Sequence, residues 1–267
     1  MKILVPTDFS ENANNAVEFA KKIAKNKNAT ITLIYAFYAV YDFASQATEI
    51  ISQIEQDAKR ELKKTLEKGK EEGLKLDYKI IQGTVSTAVT SIALREDYDL
   101  IVMGTQGASG IKKVLIGSNT GHVIKESKVP VLAIPSNSNW TKENKISVAL
   151  QLENEEDKYF KNLFSLTQDL NLPYEFFHVR TENNFEKEIE FRGLEVYLKE
   201  KYTDREINFT AFDAKEVNQG IEQYLEKNPG AMLVMFYKNK SFFEYIFNKS
   251  TSLEMAYHTH VPLLVIK

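Results

Sequence analysis

The sequence predicts an α/β protein made of two tandem domains, each a five-stranded parallel sheet with helices on both of its faces. Three observations carry this. Short apolar or β-branched runs alternate with segments of helical period. The alternation reads β-α-β-α-β-α-β-α-β, which implies parallel strands joined by right-handed helical crossovers. The same order then recurs in the second half of the chain.

In the first half, Ile3-Leu4-Val5 is a strand that stops at Pro6 and Asp8. Ser10 is a good helix N-cap, and Ala13, Ala16, Phe19, Ala20 and Ile23 follow at helical spacing. Thr30 to Tyr35 alternates with β-branched residues and predicts the second strand. Thr48 to Gly73 predicts a long helix, with Ile51, Ile54, Ala58, Leu62 and Leu66 on one face. Tyr78 to Ile81 is a third strand ending at Gly83, and Val85, Val89, Ile92 and Ala93 mark a third helix. Leu100 to Met103 is wholly apolar, as a strand buried on both faces should be. A glycine-bearing loop, a helix over Ser118 to Ser127 and the strand Val131 to Ile134 complete the set.

The second half repeats each step. Lys145 to Ala149 matches Lys2 to Pro6, and Tyr174 to Val179 matches the second strand. Phe185 to Tyr202 is the long helix, Ile207 to Thr210 the third strand, and Ile221 and Leu225 lie on the third helix. From Met103/Met235 to Pro130/Pro262 the offset stays at 132 residues, so this stretch aligns without gaps. The expected domains are residues 1–137 and 143–267, joined by the turn-rich Pro135-Ser136-Asn137-Ser138-Asn139.

Composition narrows the function classes. Of the 267 residues, 43% are apolar and 27% charged, which suits a globular chain with full cores. No apolar stretch approaches the ~20 residues of a membrane span, and the run after Met1 is too short for a signal peptide. With no cysteine, disulfides, thiolate catalysis and Cys-based zinc sites are excluded, and a reducing cytoplasm is the simplest compartment. The net charge of −3 divides unevenly: 18 Lys and Arg face 16 Asp and Glu in residues 1–137, against 16 and 21 in the remainder. Neither half has a basic stripe with interleaved aromatics, so neither nucleic acid nor a membrane is an expected partner.

The chemistry is expected after the fourth strand. Residues 104–120 contain G-x2-G-x9-G-S, with glycines at Gly104, Gly107 and Gly117 and a serine at Ser118. Without Cβ atoms, Gly104 and Gly107 let backbone amides come close to an anion. Gly117-Ser118 opens the fourth helix, whose free amides and positive dipole end favour phosphate. Ser118 can donate its hydroxyl, and Lys112 and Lys113 on the loop can neutralise charge. Asp8 lies at the same carboxyl edge of the sheet, where open α/β folds bind ligands. Glycines after a strand are also ordinary turn residues; the position between a strand and a helix, with Asp8 nearby, is what favours a phosphate site.

Asp8 in Val5-Pro6-Thr7-Asp8-Phe9-Ser10, the run Asp99 to Gly104, the glycine motif and Val129-Pro130-Val131 together resemble the universal stress protein family. The resemblance covers residues 1–135 and, more weakly, 143–267. It implies a Rossmann-like sheet of the adenine nucleotide alpha hydrolase type, paired through its last strand in single-domain members. It also implies ATP as ligand, with Mg²⁺ on the phosphates. By the resemblance Asp8 lies beside the nucleoside, the Ala36 backbone meets adenine, and Met103 and Gly104 line base and ribose. Gly107, Gly117, Ser118 and Asn119 correspond to phosphate contacts.

The second copy departs from the motif. Phe236, Asn239 and Lys249 replace the three glycines, Ser250 keeps the serine, and Gln151 replaces Asp8. Phe236 is expected to fill the space a phosphate needs, so this half should not bind ATP in the usual way. The aromatics Phe236, Tyr237, Phe242, Phe243, Tyr245 and Phe247 read as packing residues, with a partner surface or an apolar ligand site as the alternative.

Other signals are weak. There is no G-x4-G-K-[ST] and no G-x-G-x-x-G. Of the histidines His122, His178, His258 and His260, the last two sit two apart but suggest no third metal ligand and read as surface or packing residues. Glu71-Glu72 and Glu155-Glu156-Asp157 read as solvated, and Trp140 as packing at the junction. Ser118 has no histidine partner that would make it a nucleophile. The expected function is ATP-dependent regulation of a stress response through protein contacts. The alternatives are a slow ATP hydrolase or nucleotidyl-transferring enzyme, with Asp8 as its acid, and a non-nucleotide interaction protein. Within one chain the two last strands should cover each other's edges and mimic a family dimer, with a homodimer of tandem chains as a further arrangement.

Overall fold

The computed structural model describes residues 1–38, 44–105, 117–136, 138, 144–152, 157–237 and 261–267, with the backbone alone for 44–47. The chain divides into two compact units. One is Met1–Ser136, and the other holds the described residues from Ser138 onward.

The first unit runs β1 (Lys2–Pro6), α1 (Glu11–Lys27), β2 (Thr30–Phe37), α2 (Ala44–Glu71), β3 (Lys75–Gln82), α3 (Val85–Arg95), β4 (Leu100–Gly104), α4 (Ser118–Glu126) and β5 (Val131–Ile134). Its strands lie in the order β3-β2-β1-β4-β5, all parallel. The order reverses between β1 and β4, the switch point at which a doubly wound sheet opens a crevice. Every residue of β5 is buried, as are Leu100 to Met103 of β4. Such continuous apolar runs mark strands covered on both faces. Ser10 caps α1 by accepting from the Ala13 amide, and Asn28 ends it in the left-handed conformation. The apolar positions expected to face inward on α1 are buried.

Two elements of the first unit start three or more residues earlier than the sequence reading places them. β3 begins at Lys75 rather than Tyr78, and α2 begins at Ala44 rather than Thr48. β3 is the outer strand, so Lys75 and Asp77 alternate with Leu76 without entering the core, and their charge hides the strand pattern.

The second unit runs β6 (Lys145–Ala149), α5 (Asp157–Thr167), a 3-10 turn (Gln168–Leu170), β7 (Tyr174–Arg180), α6 (Phe185–Lys201), β8 (Ile207–Asp213), α7 (Val217–Lys227), β9 (Ala231–Phe236) and β10 (Leu263–Ile266). Its order, β8-β7-β6-β9-β10, repeats that of the first unit. The repetition extends to single backbone features. Phe9 and Leu152, 143 residues apart, both take positive φ (64° and 54°), and so do Asn28 and Asn171 (49° and 52°). The bond from the Thr7 amide to the Ile34 carbonyl (2.9 Å) recurs as Leu150 to Phe177 (2.8 Å). Thr105 to Ile134 recurs as Tyr237 to Ile266. A left-handed bulky residue costs about 1–3 kcal/mol, so its recurrence at Phe9 and Leu152 shows one turn geometry kept by both copies.

The cores are filled differently. In the first unit Lys21 is buried between Glu18 and Glu72, both at 2.9 Å. At the matching position of the second unit, Phe164 packs on Tyr202 with ring centroids 4.1 Å apart. Among the described residues no helix is long and apolar enough to cross a membrane.

Candidate functional site

In the first unit a cleft opens at the carboxyl ends of β1, β2 and β4. Pro6, Thr7, Asp8, Ala13, Ile34, Ala36, Val85, Met103, Gly104, Gly117, Ser118, Asn119 and Thr120 line it. Seven of the eight residues expected from sequence therefore stand around one hollow: Asp8, Ala36, Met103, Gly104, Gly117, Ser118 and Asn119. The eighth, Gly107, lies outside the described residues, as do Lys112 and Lys113.

The turn after β1 sets one wall. The Thr7 amide bonds to the Ile34 carbonyl, so β1 ends against the middle of β2. The Phe9 amide donates to Thr7 Oγ1 (3.1 Å) and the Ser10 amide to Asp8 Oδ1 (3.0 Å). These bonds hold Asp8 exposed at the rim and turn Phe9 onto Tyr35, with ring centroids 5.1 Å apart. β2 runs on past this point. In a parallel ladder alternate residues bond to opposite neighbours. Ile34 bonds toward β1 and Phe37 toward β3, where its carbonyl accepts from the Gly83 amide. By this alternation the amide and carbonyl of Ala36 point toward the side where β1 has already ended. They offer a donor and an acceptor to the edge of a flat ring.

The start of α4 sets the opposite wall. The Gly117 amide donates to the Thr105 carbonyl, and Thr120 Oγ1 donates to the Gly104 carbonyl (2.7 Å). Both bonds pin the first turn of α4 to the end of β4. Gly117 is the N-cap and provides no side-chain cap, and the first turn holds no acidic residue. By contrast α1, α3 and α6 are each capped by a side chain, from Ser10, Thr84 and Asn184. The first amides of any helix lack intrahelical acceptors, and in α4 they lie beside the cleft. This donor set fits a phosphate group. Among the described residues no group of three or more acidic or histidine side chains could hold a metal ion. Among the described residues Asp8 is the acidic side chain that lines this cleft.

Gly104 has a packing role besides its place in the cleft lining. A Cβ there would lie 2.7 Å from Asn12 Nδ2, 2.9 Å from Asn12 Cγ and 3.1 Å from the Asn12 carbonyl oxygen. The missing side chain is thus what lets α1 approach β4. Sequence reasoning also passed over Thr120 and Val85. Thr120 directly follows the G-S-N run and faces the same way as a first-turn residue, a signal available in the motif itself.

The second unit has a hollow at the matching place. Ala149, Leu150, Gln151, Phe177, Val179 and Val217 line it, counterparts of Pro6, Thr7, Asp8, Ile34, Ala36 and Val85, and its ≈ 140 Å³ compares with ≈ 150 Å³ in the first. Phe236 does not fill it, contrary to expectation. Its ring is 1% exposed and packs on Tyr159 and Phe160 of α5, with centroids 5.3 and 5.4 Å away. The side chain at this point of β9 is directed at the helix layer, as the bare side of Gly104 is. The rest of the aromatic loop, Phe242 to Phe247, lies outside the described residues, as do Trp140, His258 and His260.

Comparison with known proteins agrees with this fold. The model of the universal stress protein family matches residues 1–135. A universal stress protein of Methanocaldococcus jannaschii is 33% identical over 138 residues, covering 50% of this chain and 81% of its own length. One from Thermus aquaticus is 30% identical over 138 residues, 49% of this chain and 96% of its own. The crystal structure of a universal stress protein from Archaeoglobus fulgidus superposes with a TM-score of 0.80 at 21% identity, covering 100% of this chain and 98% of its own, a likeness of fold. With its first unit matched from end to end by the family model, the chain belongs to the universal stress protein family.

Proposed function

We propose that the first unit binds an adenine nucleotide, ATP, and that the bound state regulates a stress response through protein contacts. The observation that carries this reading is the pairing of two features across one cleft. One is the open backbone edge at Ala36, suited to a purine; the other is the uncapped start of α4, suited to phosphates. Asp8 stands at the rim between them, where a ribose or a magnesium ion on the phosphates would lie. A helix N-terminus alone would accept any anion, and it is the base-sized edge opposite that favours a nucleotide. Magnesium, if carried in on ATP, would supply charge neutralisation on the phosphates, while the chain's own part is to orient the tail with the amides of Ser118, Asn119 and Thr120.

The test is equilibrium binding of ATP, ADP, AMP and cyclic AMP to the full chain and to Gly117→Asp. The φ of −60° at Gly117 suits any residue. An aspartate there would cap α4 with its own carboxylate and repel phosphate. ATP affinity should fall at least tenfold while the melting temperature holds or rises slightly. Wild-type protein that takes up none of the four, or a variant that binds ATP as tightly as wild type, would refute the reading.

A further inference from the structure

We propose that β8, the outer strand of the second unit, is a self-association edge through which two copies of the chain pair antiparallel, about a two-fold axis at Thr210. The inference involves neither cleft and does not rest on the nucleotide reading.

The outer strands are β3 in the first unit and β8 in the second. β3 carries Lys75, Asp77 and Lys79, and Glu96 holds Lys79 at 3.1 Å. Charge of this kind on an edge strand keeps other strands from pairing with it. β8 has no such guard. It reads Ile207-Asn208-Phe209-Thr210-Ala211-Phe212-Asp213, with no charge before its last residue, which Arg180 holds at 2.8 Å. Among the described residues no strand pairs with its outer side.

The backbone of β8 is laid out for such a pairing. The Glu206 carbonyl accepts from the Tyr174 amide and the Ala214 amide donates to the Arg180 carbonyl, so the even-numbered residues bond to β7. In a parallel ladder alternate residues face opposite ways. The amides and carbonyls of Ile207, Phe209, Ala211 and Asp213 therefore point outward. The Ala211 carbonyl accepts a long bond from Arg180 (3.4 Å) and keeps a second lone pair. A second β8 laid antiparallel across Thr210 sets Phe209 opposite the partner's Ala211 and Ile207 opposite the partner's Asp213. In these pairs each residue exchanges both of its bonds. The register uses the whole strand and places a large side chain beside a small one. A one-residue slip would set outward-facing groups against inward-facing ones.

α6 supplies the charge that selects a second copy as the occupant. Its Phe191 packs on His178 of β7 and Phe209 of β8, with centroids 6.3 and 5.4 Å away, so the helix lies over the line between these strands. A two-fold axis normal to the sheet keeps both copies of α6 on one face and antiparallel. Their axes then lie two strand spacings apart, about 9.6 Å, which is a packing distance for helices. Tyr197 and Lys201 face the other way, bonded to Asp157 of α5 (2.9 and 2.6 Å). Glu188, Arg192, Glu195 and Lys199 recur at i, i+4, i+7 and i+11 on the flank toward the open edge. Glu188 meets there the Arg180 that also holds Asp213. This order of signs is its own complement when reversed. Across the axis Glu188 faces the partner's Lys199, and Arg192 faces the partner's Glu195.

One strand and one helix flank form a contact at the small end of specific interfaces, below about 1,200 Å² in total. Association is therefore expected at about hundreds of micromolar, with single chains in dilute solution.

The test is sedimentation of the full chain from about 1 to about 500 μM, with amide hydrogen exchange followed by NMR at both ends of the range. The mass should rise from that of one chain toward that of two. The Phe209 and Ala211 amides should exchange at least tenfold more slowly at the high concentration, while Thr210 and Phe212 stay protected throughout. Arg192→Glu and Glu195→Arg should each weaken association at least tenfold without moving the melting temperature of the dilute protein. The double variant Arg192→Glu/Glu195→Arg should restore it. A mass of one chain at about 500 μM, a dimer that leaves the Phe209 and Ala211 amides unprotected, or a double variant as weak as the single ones would overturn the proposal. ATP binding at the first cleft has no part in these readouts, so the two readings fail separately.

Discussion

Replacing Gly104 by alanine tests the tightest junction of the first unit. Two effects oppose. Alanine restricts the unfolded chain and alone would stabilise by about 0.4–1 kcal/mol. In the folded state its Cβ meets the Asn12 side chain at 2.7 and 2.9 Å and the Asn12 main-chain oxygen at 3.1 Å. The side-chain atoms can swing aside. The main-chain oxygen cannot, so the start of α1 must retreat by about 0.3 Å to restore ordinary contact at 3.4 Å. Overpacking of this kind costs about 1–3 kcal/mol. The net expectation is a loss of about 1–2 kcal/mol, which lowers the melting temperature by roughly 2–8 °C. Scanning calorimetry of wild type, Gly104→Ala, Asn12→Ala and the double variant measures both the loss and its coupling to Asn12. The coupling should exceed about 0.5 kcal/mol, as for residues in contact. A melting temperature that stays level or rises, or a double variant that is merely additive, would show that α1 does not press on β4 at this residue.

Three further outcomes follow from the same structure. In the second unit a Cβ on Gly220 would collide with the Val179 side chain; Gly220→Ala should cost about 1–3 kcal/mol, and Val179→Ala, which recreates the Ala36/Ala88 pair of the first unit, should recover most of it in thermal melts. Burial lowers the pKa of His178 below the 6.5 of the unfolded chain. Its neutral form therefore stabilises the fold fully above pH 6.5, and that contribution is lost as pH falls from 6.5 toward the lower folded value. Melts from pH 7.5 to 5 should be steeper for wild type than for His178→Gln, and parallel curves would count against a buried neutral imidazole. From the duplication alone a monomer in dilute solution is the expected outcome, and a light-scattering mass near that of two chains would contradict it.

Much of the fold was legible because it rests on periodicity. β4 and β9 are apolar throughout because each is covered on both faces, and a run such as Leu100 to Met103 has no other easy reading. Where a strand is half solvated the signal fades, which is why β3 was read too short. The candidate site was legible in part for a similar reason. Gly117-Ser118 opens a helix wherever it stands, and Asp8 ends a strand, so both fall at the sheet edge whatever the packing.

The sequence by itself determined the α/β class, the duplication and the residues gathered at the first cleft, since these depend on local spacing and on the order of elements along the chain. Only the tertiary structure decided that Gly104 makes room for α1, that Phe236 turns into the helix layer, and that His178 is buried with Nδ1 against the Leu150 carbonyl at a second hollow. Each of these depends on which neighbour a side chain faces across the sheet. That direction is set by the packing of helices on strands distant in sequence, and the spacing of residues along the chain does not record it.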